Sequence, residues 1–447
     1  MSFQPKTWLA AATVALFVAP PAWAQVAVTE VESDGGIKAW LVEEPALPFV
    51  ALELIFMGGA SLDPEGEEGA TSLMTSMLGL GAGALDEQGF AEAKEAVAAE
   101  FSFDAGHDSV SVSARFLTEF RDESVALLRS ALKEPRFDAD AFERTRARAL
   151  SVRRSDMRNP GTLASLRFNE LAWGDHPYAR PVDGTEDSLA ALTREALEAA
   201  HARALVRDRV FVAAVGDIGP DELGALIDDL LGDLPLAEVP LPGPAEVLFD
   251  GGVTVVPFDG PQSVILFGQA GIPRDDDDYF AAFVMNEVLG GGRFGTRLMR
   301  ELRQARGLTY GVGSFLFGRQ FGDTLQGRLS TSNARAAEAI ELVRAEWARM
   351  AAEGLSEEEL EAIQTYMTGE YPLRFDGNAR IARILVAMQM QDMPASYMAE
   401  RNDLVRAVTL EDVRRVADRL LDPEGLHFVV VGQPEGLDGA EAAAEGG

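Results

Sequence analysis

The sequence of this 447-residue chain contains the same arrangement of segments twice. Gly35-Gly36-Ile37 recurs as Gly251-Gly252-Val253, and the apolar run Phe211–Asp217 recurs as Phe428–Gln433. Both pairs are separated by 216 positions, from 35 to 251 and from 216 to 432. Two related halves in one chain predict two similar folding units, related by pseudo-symmetry, with a site between them.

Between these anchors both halves follow one order of elements. A predicted strand (Val50–Met57 in the first half, Ser263–Gln269 in the second) precedes a helix and a glycine-rich turn. Asp138–Arg158 is predicted to be a long helix that ends before Pro160, and Asp108–Leu117 alternates as a strand does. Because strands and helices do not alternate strictly, the sequence predicts an α+β fold.

A proline-rich connector separates the halves. Its prolines are Pro235, Pro240, Pro242 and Pro244, and such a composition resists both helix and central strand. We therefore divide the chain into an export signal (1–24), a first half (25–236), a linker (237–250), a second half (251–434) and a tail (435–447). The tail is rich in alanine, glutamate and glycine and is predicted to be disordered.

The first 24 residues are predicted to be a cleavable export signal. Lys6 supplies the positive charge, Trp8–Ala19 is apolar, and Ala22-Trp23-Ala24 has the small residues of a cleavage site, so cleavage is expected after Ala24. The apolar stretch is too short to span a bilayer. A bacterial periplasm is the expected compartment.

The composition excludes several classes of function. The formal charge is −33, from 72 acidic and 39 basic residues, which argues against nucleic acid or an anionic membrane as a partner. It favours basic or unstructured peptides. The chain has no cysteine, which excludes disulfides, thiolate zinc sites and a cysteine nucleophile.

Residues 69–78 are predicted to form a helix with one apolar face. Five residues follow helical spacing and predict a core-facing stripe: Ala70, Leu73, Met74, Met77 and Leu78. The other face carries the hydroxyl side chains of Ser72, Thr75 and Ser76. Hydroxyls are poor zinc ligands and have no pKa suited to general base catalysis.

A second segment combines a glycine-rich turn, a basic helix and a strand. Gly291 and Gly292 belong to the turn and would allow a peptide or another subunit to approach the backbone closely. Gly307 is predicted to end the helix, and Leu308–Phe315 is predicted to be a strand.

This arrangement places Arg303 in the last turn of the helix and Tyr310 on the strand, both able to face one cavity. A guanidinium presents a rigid fork of donors to a peptide carbonyl or carboxylate. A tyrosine hydroxyl can donate a hydrogen bond to a developing oxyanion. The structural alternative is that Arg303 caps the helix C-terminus and Tyr310 fills a core position.

The run Gly290–Tyr310 resembles the signature of the second half-domain in the insulinase/pitrilysin metallopeptidases, and Gly174–Pro181 resembles a segment of the first. The resemblance covers essentially the whole mature chain. It implies two half-units, each a mostly antiparallel sheet layered with helices, hinged by the connector. It also implies that Arg303 and Tyr310 hold substrate against a zinc centre located elsewhere.

The zinc centre of that family has no counterpart in this sequence. Active members carry His-x-x-Glu-His where this chain has Ser72-Leu73-Met74-Thr75-Ser76, and their third ligand falls near Ser151 and Val152. Glu143 lies upstream, but one carboxylate does not make a site. Four scattered histidines cannot provide a ligand pair on one helix: His107, His176, His201 and His427. No metal is therefore expected in this chain.

Half-length bacterial members of the family often work as pairs, one chain carrying zinc and the other the Arg–Tyr element. The resemblance therefore implies a periplasmic subunit that positions peptide or unfolded-protein substrate, and stabilises the oxyanion, for a homologous zinc-bearing partner. Three alternatives stay open: an active zinc peptidase in its own right, a purely structural subunit, and a peptide-binding module that works alone.

Overall fold

The computed structural model describes residues 27–437 and 441–442. The predicted export signal lies outside the described residues. Within the described ranges, none of the helices combines the length and the apolar character needed to span a lipid bilayer.

The first half folds into one six-stranded sheet with helices. Its strands are β1 (Thr29–Glu32), β2 (Lys38–Glu43), β3 (Phe49–Met57), β4 (Glu100–Ala105), β5 (Ser109–Leu117) and β6 (Val210–Gly216). Its helices are α1 (Ala70–Met77), α2 (Glu87–Ala96), α3 (Arg121–Lys133), α4 (Ala139–Asp156), α5 (Pro160–Trp173), α6 (Glu186–Ala191), α7 (Arg194–Ala204) and α8 (Pro220–Leu231). The strand order is β1-β2-β6-β3-β5-β4, and only β2 and β6 run parallel as neighbours.

The second half repeats this architecture. Its strands are β7 (Gly252–Pro257), β8 (Gln262–Ala270), β9 (Val312–Gly318), β10 (Asp323–Ser332), β11 (His427–Gly432) and β12 (Glu441–Ala442). Its α-helices are α9 (Tyr279–Leu289), α10 (Ala336–Glu353), α11 (Glu357–Glu370), α12 (Asn378–Met390), α13 (Tyr397–Ala407) and α14 (Leu410–Leu420), and Met299–Ala305 is a π-helix. The strand order is β12-β7-β11-β8-β10-β9, with β7 parallel to both of its neighbours.

The two sheets share one topology. The order β2-β6-β3-β5-β4 corresponds strand for strand to β7-β11-β8-β10-β9. The strands predicted at Val50–Met57 and Ser263–Gln269 are β3 and β8. Gly216 ends β6 with φ of 146° and Gly432 ends β11 with φ of 159°, and a Cβ at either position would collide with the adjacent strand. The predicted duplication and the α+β fold class, with mostly antiparallel sheets, are confirmed.

The predicted long helix is also present. It was expected at Asp138–Arg158 and is observed at Ala139–Asp156. The chain then forms α5 directly, because Pro160 occupies the first helical position, where no N–H donor is needed. The Asn159 side chain caps α5 by accepting a hydrogen bond from the Gly161 N–H (2.8 Å).

One face of each sheet packs against helices of its own half. On the first sheet, Leu52 and Leu54 of β3 join a core that includes Leu73 of α1. On the second sheet, the Phe267 ring meets the Trp347 ring of α10 edge to face, with centroids 5.6 Å apart. Burial of these apolar faces is the main driving force for each half to fold.

The opposite face of the first sheet is covered by a helix from the second half. α12 places Leu385 and Val386 against Trp40, Ala51 and Ala213, which lie on β2, β3 and β6. Both α12 residues are at most 1% exposed. The first half therefore depends on the second half to bury this face.

The second sheet receives the equivalent helix of the first half. α5 places Phe168 and Trp173 against Leu266 of β8 and against Val429 and Val431 of β11. Each half thus covers the sheet of the other half with one of its helices. Two apolar cores contain residues from both halves, in addition to the core of each half.

The connector is tied to both halves. Residues 237–250 form neither helix nor strand. The Ala245 N–H donates to the Phe321 carbonyl in the second half, and the Leu248 N–H donates to the Ala172 carbonyl in the first (2.9 Å). These hydrogen bonds add to the contacts that α5 and α12 make between the halves.

Part of the predicted disordered tail has a defined place. Leu437 packs against the core of the second half, and Glu441–Ala442 form β12 beside β7. This corrects the prediction for residues 435–447 as far as they are described. The outer edge of β7 leaves main-chain groups available for pairing, which explains why a short segment can add there.

The contact between α5 and the second sheet gives a test of the exchanged packing. A Cβ at Gly268 of β8 would lie 2.7 Å from Phe168 Cζ and 3.0 Å from the Leu325 carbonyl oxygen. Phe168 is 1% exposed, so its ring cannot move aside without opening the shared core. We expect Gly268→Ala to lower the free energy of unfolding, measured in urea, by roughly 1–3 kcal/mol.

The matched control is Gly243→Ala in the connector, where no atom lies within 4 Å of the added methyl group. It should leave the unfolding midpoint nearly unchanged. Equal effects of the two substitutions would contradict the close approach of α5 to the second sheet.

Candidate functional site

α1 is a well-packed helix, and its apolar stripe is buried as predicted. Its N-terminus is fixed by Asp63, whose carboxylate accepts hydrogen bonds from the Thr71 N–H (3.2 Å) and hydroxyl (2.6 Å). Burial raises the pKa of Asp63 to about 6, while the hydrogen bonds from Thr71 act in the opposite direction. The helix is therefore maintained by its apolar stripe and by Asp63; of the three hydroxyl residues, Thr75 is buried as well, whereas Ser76 is exposed.

The three hydroxyls at the family's zinc positions are used inside the protein. Ser72 Oγ donates to the Asp183 carboxylate (2.7 Å). Thr75 Oγ1 and Ser76 Oγ both donate to the Ser72 carbonyl, at 2.9 and 3.0 Å. Zinc sites in proteins are built from imidazole, thiolate and carboxylate groups. These residues therefore do not fit a zinc ion.

No other set of ligands compensates for this loss. Ser151 and Val152 are exposed on α4, and the nearby Glu143 carboxylate pairs with Arg146 (2.7 Å). Across the described ranges, 27–437 and 441–442, no group of three or more His, Cys, Asp or Glu side chains could hold a metal ion.

Each histidine is hydrogen-bonded to a main-chain carbonyl group. The pairs are His107 Nε2 with Arg180 (2.9 Å), His176 Nε2 with Gly243 (3.2 Å), His201 Nε2 with Leu132 (2.7 Å) and His427 Nδ1 with Gly251 (2.6 Å). Burial lowers the pKa of His107 to about 4 and also lowers the pKa of His176 and His201. These imidazoles serve packing and main-chain hydrogen bonding.

The basic segment forms the π-helix Met299–Ala305, a rare form that is frequent at functional sites. Arg303 lies in its last turn, as predicted, with its guanidinium 4.6 Å from the centre of the Phe294 ring. Arg300 and Arg306 each form an ion pair with a glutamate. Among the arginines of this helix, Arg303 is the one that no described carboxylate neutralises.

Tyr310 lies in a loop and not on the strand where the sequence placed it. β9 begins only at Val312. The Thr309 Oγ1 accepts a hydrogen bond from the Gly311 N–H (3.1 Å), a local turn that keeps Tyr310 out of the ladder. Its side chain is 85% exposed, which excludes the alternative that Tyr310 fills a core position.

The glycine-rich turn is locked to β9 by a buried asparagine that the sequence analysis missed. Asn286 is 2% exposed, and its Nδ2 donates to the Ser314 carbonyl (3.1 Å) while its Oδ1 accepts from Ser314 Oγ (2.7 Å). The Ser314 N–H donates to the Gly290 carbonyl (2.7 Å). The available signal was a polar residue, Asn286, among the apolar residues of α9.

The next two glycines of the turn differ in exposure. Gly291 is buried. Gly292 is exposed, and no atom lies within 4 Å of the place that a Cβ would occupy at Gly292.

These segments border a cavity of about 1090 Å³ between the two halves. Its lining comes from the start of α5 (Asn159, Gly161, Thr162, Ala164, Ser165), the second sheet (Val264, Leu266, Arg328, Leu329, Ser330), the loop and strand 309–315, Gly290, Gly292 and Glu287. Of the predicted residues, Tyr310 and Gly292 belong to this lining; Arg303, Gly291, Ser72, Thr75 and Ser76 do not. The volume and mixed lining suit a short peptide segment.

The segment around Tyr178, singled out in the sequence, joins the halves. The tip of the β9–β10 hairpin reaches the fully buried Tyr178, whose hydroxyl accepts from the Phe321 N–H (3.0 Å) and donates to the Asp108 carboxylate. The Arg319 guanidinium lies 4.5 Å from the centre of the Tyr178 ring. Asp108 also accepts a hydrogen bond from the Gln320 N–H of the second half (3.1 Å), so the roles of Asp108 and Arg319 both depend on partners that are distant in the sequence.

Two family models match successive parts of the chain. The model described as Insulinase (Peptidase family M16) matches residues 38–186, and the model described as Peptidase M16 inactive domain matches residues 191–367. The first match lies within the first half, and the second runs from α7 of the first half to α11 of the second.

Some of the similar proteins are named as proteases, and others are named as inactive or non-peptidase members. A crystal structure of a peptidase M16 inactive domain from Pseudomonas fluorescens is 31% identical, with a TM-score of 0.85, and the match covers 91% of this chain and 98% of that one. The non-peptidase homolog YmxG of Helicobacter pylori is 26% identical over 74% of this chain and 77% of its own length. Uncharacterized zinc protease ML0855 of Mycobacterium leprae is 26% identical over 87% and 88%.

The low pKa of His107 predicts a loss of stability in acid. Because its pKa is about 4 in the fold and its ordinary value is 6.5, the unfolded chain takes up a proton first as the pH falls. The contribution of neutral His107 to the free energy of unfolding is therefore fully present above pH 6.5 and is lost as the pH falls toward 4. We expect His107→Gln to lose less stability than the wild type between pH 7 and pH 5, by roughly 2 kcal/mol, in urea titrations at both pH values.

Changes at the other titrating groups are common to both proteins and cancel in this comparison. If the wild type and His107→Gln lost the same amount of stability between the two pH values, the buried, neutral state of His107 would be contradicted.

Proposed function

The chain belongs to peptidase family M16, the insulinase family, and we propose that it is the peptide-holding subunit of a heteromeric zinc peptidase whose zinc is carried by a homologous partner chain. Its match to an M16 inactive domain and its similarity to a non-peptidase homolog support a member that does not cleave peptides alone. Its substrates would be short peptides or unfolded segments.

One observation carries the proposal: the helix that bears zinc in active members is kept, and its ligands are not. Ser72, Thr75 and Ser76 replace the ligand positions, and their hydroxyls are hydrogen-bonded within the protein. In contrast, Tyr310 remains exposed beside a peptide-sized cavity. A chain with these features can hold a substrate but has no means to activate water.

Arg303 and Tyr310 have separate roles in this proposal. The Arg303 guanidinium offers its donors to a carbonyl or carboxylate of the substrate, since it has no carboxylate of its own among the described residues. The Tyr310 hydroxyl donates a hydrogen bond to the oxyanion that develops on the scissile carbonyl at the partner's centre. Its exposure allows it to reach across a subunit boundary.

The proposed compartment is the periplasm. The features in favour are the signal-like residues 1–24 and the absence of cysteine from the sequence. The charge of −33 would attract basic, unfolded segments and gives no basis for binding nucleic acid or an anionic membrane.

The oxyanion role predicts the effect of removing one hydroxyl. Tyr310→Phe should lower kcat of the reconstituted pair by about 10- to 1000-fold, the scale of one lost oxyanion donor, with a smaller change in KM. The measurement is steady-state cleavage of a fluorogenic peptide by the chain mixed with a zinc-bearing family member from the same genome.

The matched control is Tyr366→Phe, which removes a hydroxyl from a half-exposed tyrosine outside the cavity lining. It should leave kcat unchanged. An unaltered rate for Tyr310→Phe in an active pair would favour a purely structural subunit instead.

The lost ligand set predicts the metal content of the isolated chain. The mature protein, purified without its partner and analysed by plasma mass spectrometry, should contain far less than one zinc per chain, because three suitable ligands are missing. It should also show no peptide cleavage that a chelator suppresses. Stoichiometric zinc together with chelator-sensitive cleavage would establish an active peptidase and refute the proposal.

A further inference from the structure

We propose that Arg328 is a binding group for a peptide carboxylate inside the cavity, and that it selects substrates carrying a carboxylate at that point. This inference rests on the proposed role of the chain in holding peptides. It concerns a residue other than Arg303 and Tyr310, and it names the chemistry of the substrate: a carboxylate, from an acidic side chain or from a peptide C-terminus.

The strand geometry puts Arg328 on the cavity side of the second sheet. Along β10 the side chains alternate, and Leu325 and Leu329 join the core of the second half. Arg328 points to the other face, in register with Gly313 of β9 and Leu266 of β8. Since Gly313 has no side chain, the Arg328 guanidinium is left uncovered on that side, and Arg328 is exposed.

The charge of Arg328 is not balanced by the protein. Acidic residues outnumber basic ones, 72 to 39, and most described arginines form an ion pair or a hydrogen bond. Arg328 forms neither with any residue that the structure describes, although it lines a cavity. An unpaired guanidinium in so acidic a protein is an available site for an anionic group.

The carboxylate that lines the same cavity does not serve as its partner. Burial raises the pKa of Glu287, and the cations that act on it are Arg293, Arg374 and Arg401. Glu287 also lies against Gly291, on the side of the glycine-rich turn. The Arg328 guanidinium is therefore available to bind an anionic group of a ligand that enters the cavity.

The surroundings strengthen such a contact. Val264, Leu266 and Phe315 line the cavity around Arg328 and would exclude water once a peptide is bound. An ion pair with restricted access to water is stronger than one on an open surface, and a guanidinium can bind a carboxylate with two parallel hydrogen bonds. Because Tyr310 lines the same cavity, a carboxylate held at Arg328 would fix the position of the peptide relative to Tyr310.

The test compares peptides that differ only in their carboxylates. Four fluorescent seven-residue peptides share one apolar sequence, with Glu or Gln at a central position and with a free or amidated C-terminus. Their affinities for the full mature chain are measured by fluorescence anisotropy with wild type, Arg328→Gln, Arg328→Lys and Arg148→Gln. Arg148 is an exposed arginine on α4 outside the cavity and is the matched control.

We expect wild type to bind at least one carboxylate-bearing peptide about tenfold more tightly than the uncharged peptide, the scale of one charge-assisted contact. Arg328→Gln should abolish this difference, Arg328→Lys should restore part of it, and Arg148→Gln should retain it. Thermal unfolding of each variant verifies that the fold is intact. The Glu and C-terminal arms show which carboxylate is recognised.

Two results would overturn the inference in distinguishable ways. If wild type binds all four peptides equally, or if Arg328→Gln keeps the tenfold preference, the carboxylate site is refuted while peptide holding stands. If wild type binds no peptide, either alone or in the reconstituted pair, the proposed function fails and the carboxylate site fails with it.

Discussion

Each sheet of this protein carries apolar side chains on both faces, and the need to bury them is the constraint on which the rest of the structure depends. The helices of each half cover only one face. The other face of each sheet is covered by a helix from the other half: α12 lies on the first sheet and α5 on the second. The cavity is a result of this exchange, because α5 covers only part of the second sheet and its first turns, at Gly161 and Thr162, become a wall of the uncovered part.

The packing of α1 explains how the fold can be kept without the zinc ligands of active members. The stability of α1 comes from Leu73, Met74 and Met77 on its buried side and from Asp63 at its N-terminus. Neither the apolar stripe nor the contact with Asp63 depends on the side chains at the three ligand positions. Ligands can therefore be replaced by Ser and Thr at little cost in stability, provided that the hydroxyls find acceptors. Family membership consequently predicts the fold of such a chain more reliably than its activity.

Much of the fold could be predicted from the sequence because its signals are local. The stripe on α1 and the alternation of β5 depend on residues close in the chain, and the repeat is visible because two segments of the sequence can be compared directly. The exchange of α5 and α12 could not, since an apolar face does not specify which sheet it will cover. Tyr310 was predicted on a strand because the local turn, in which Thr309 Oγ1 accepts a hydrogen bond from the Gly311 N–H, is not evident from the sequence. Asn286 and Arg319 were missed because their partners are distant in sequence.

The exchanged helices also have an evolutionary consequence. A duplicated gene can ordinarily lose one copy of its product once that copy's chemistry has decayed. Here, deletion of either half would leave the remaining sheet with a bare apolar surface, prone to aggregate. The first half is thus needed for the architecture of the second, whatever chemistry it carries.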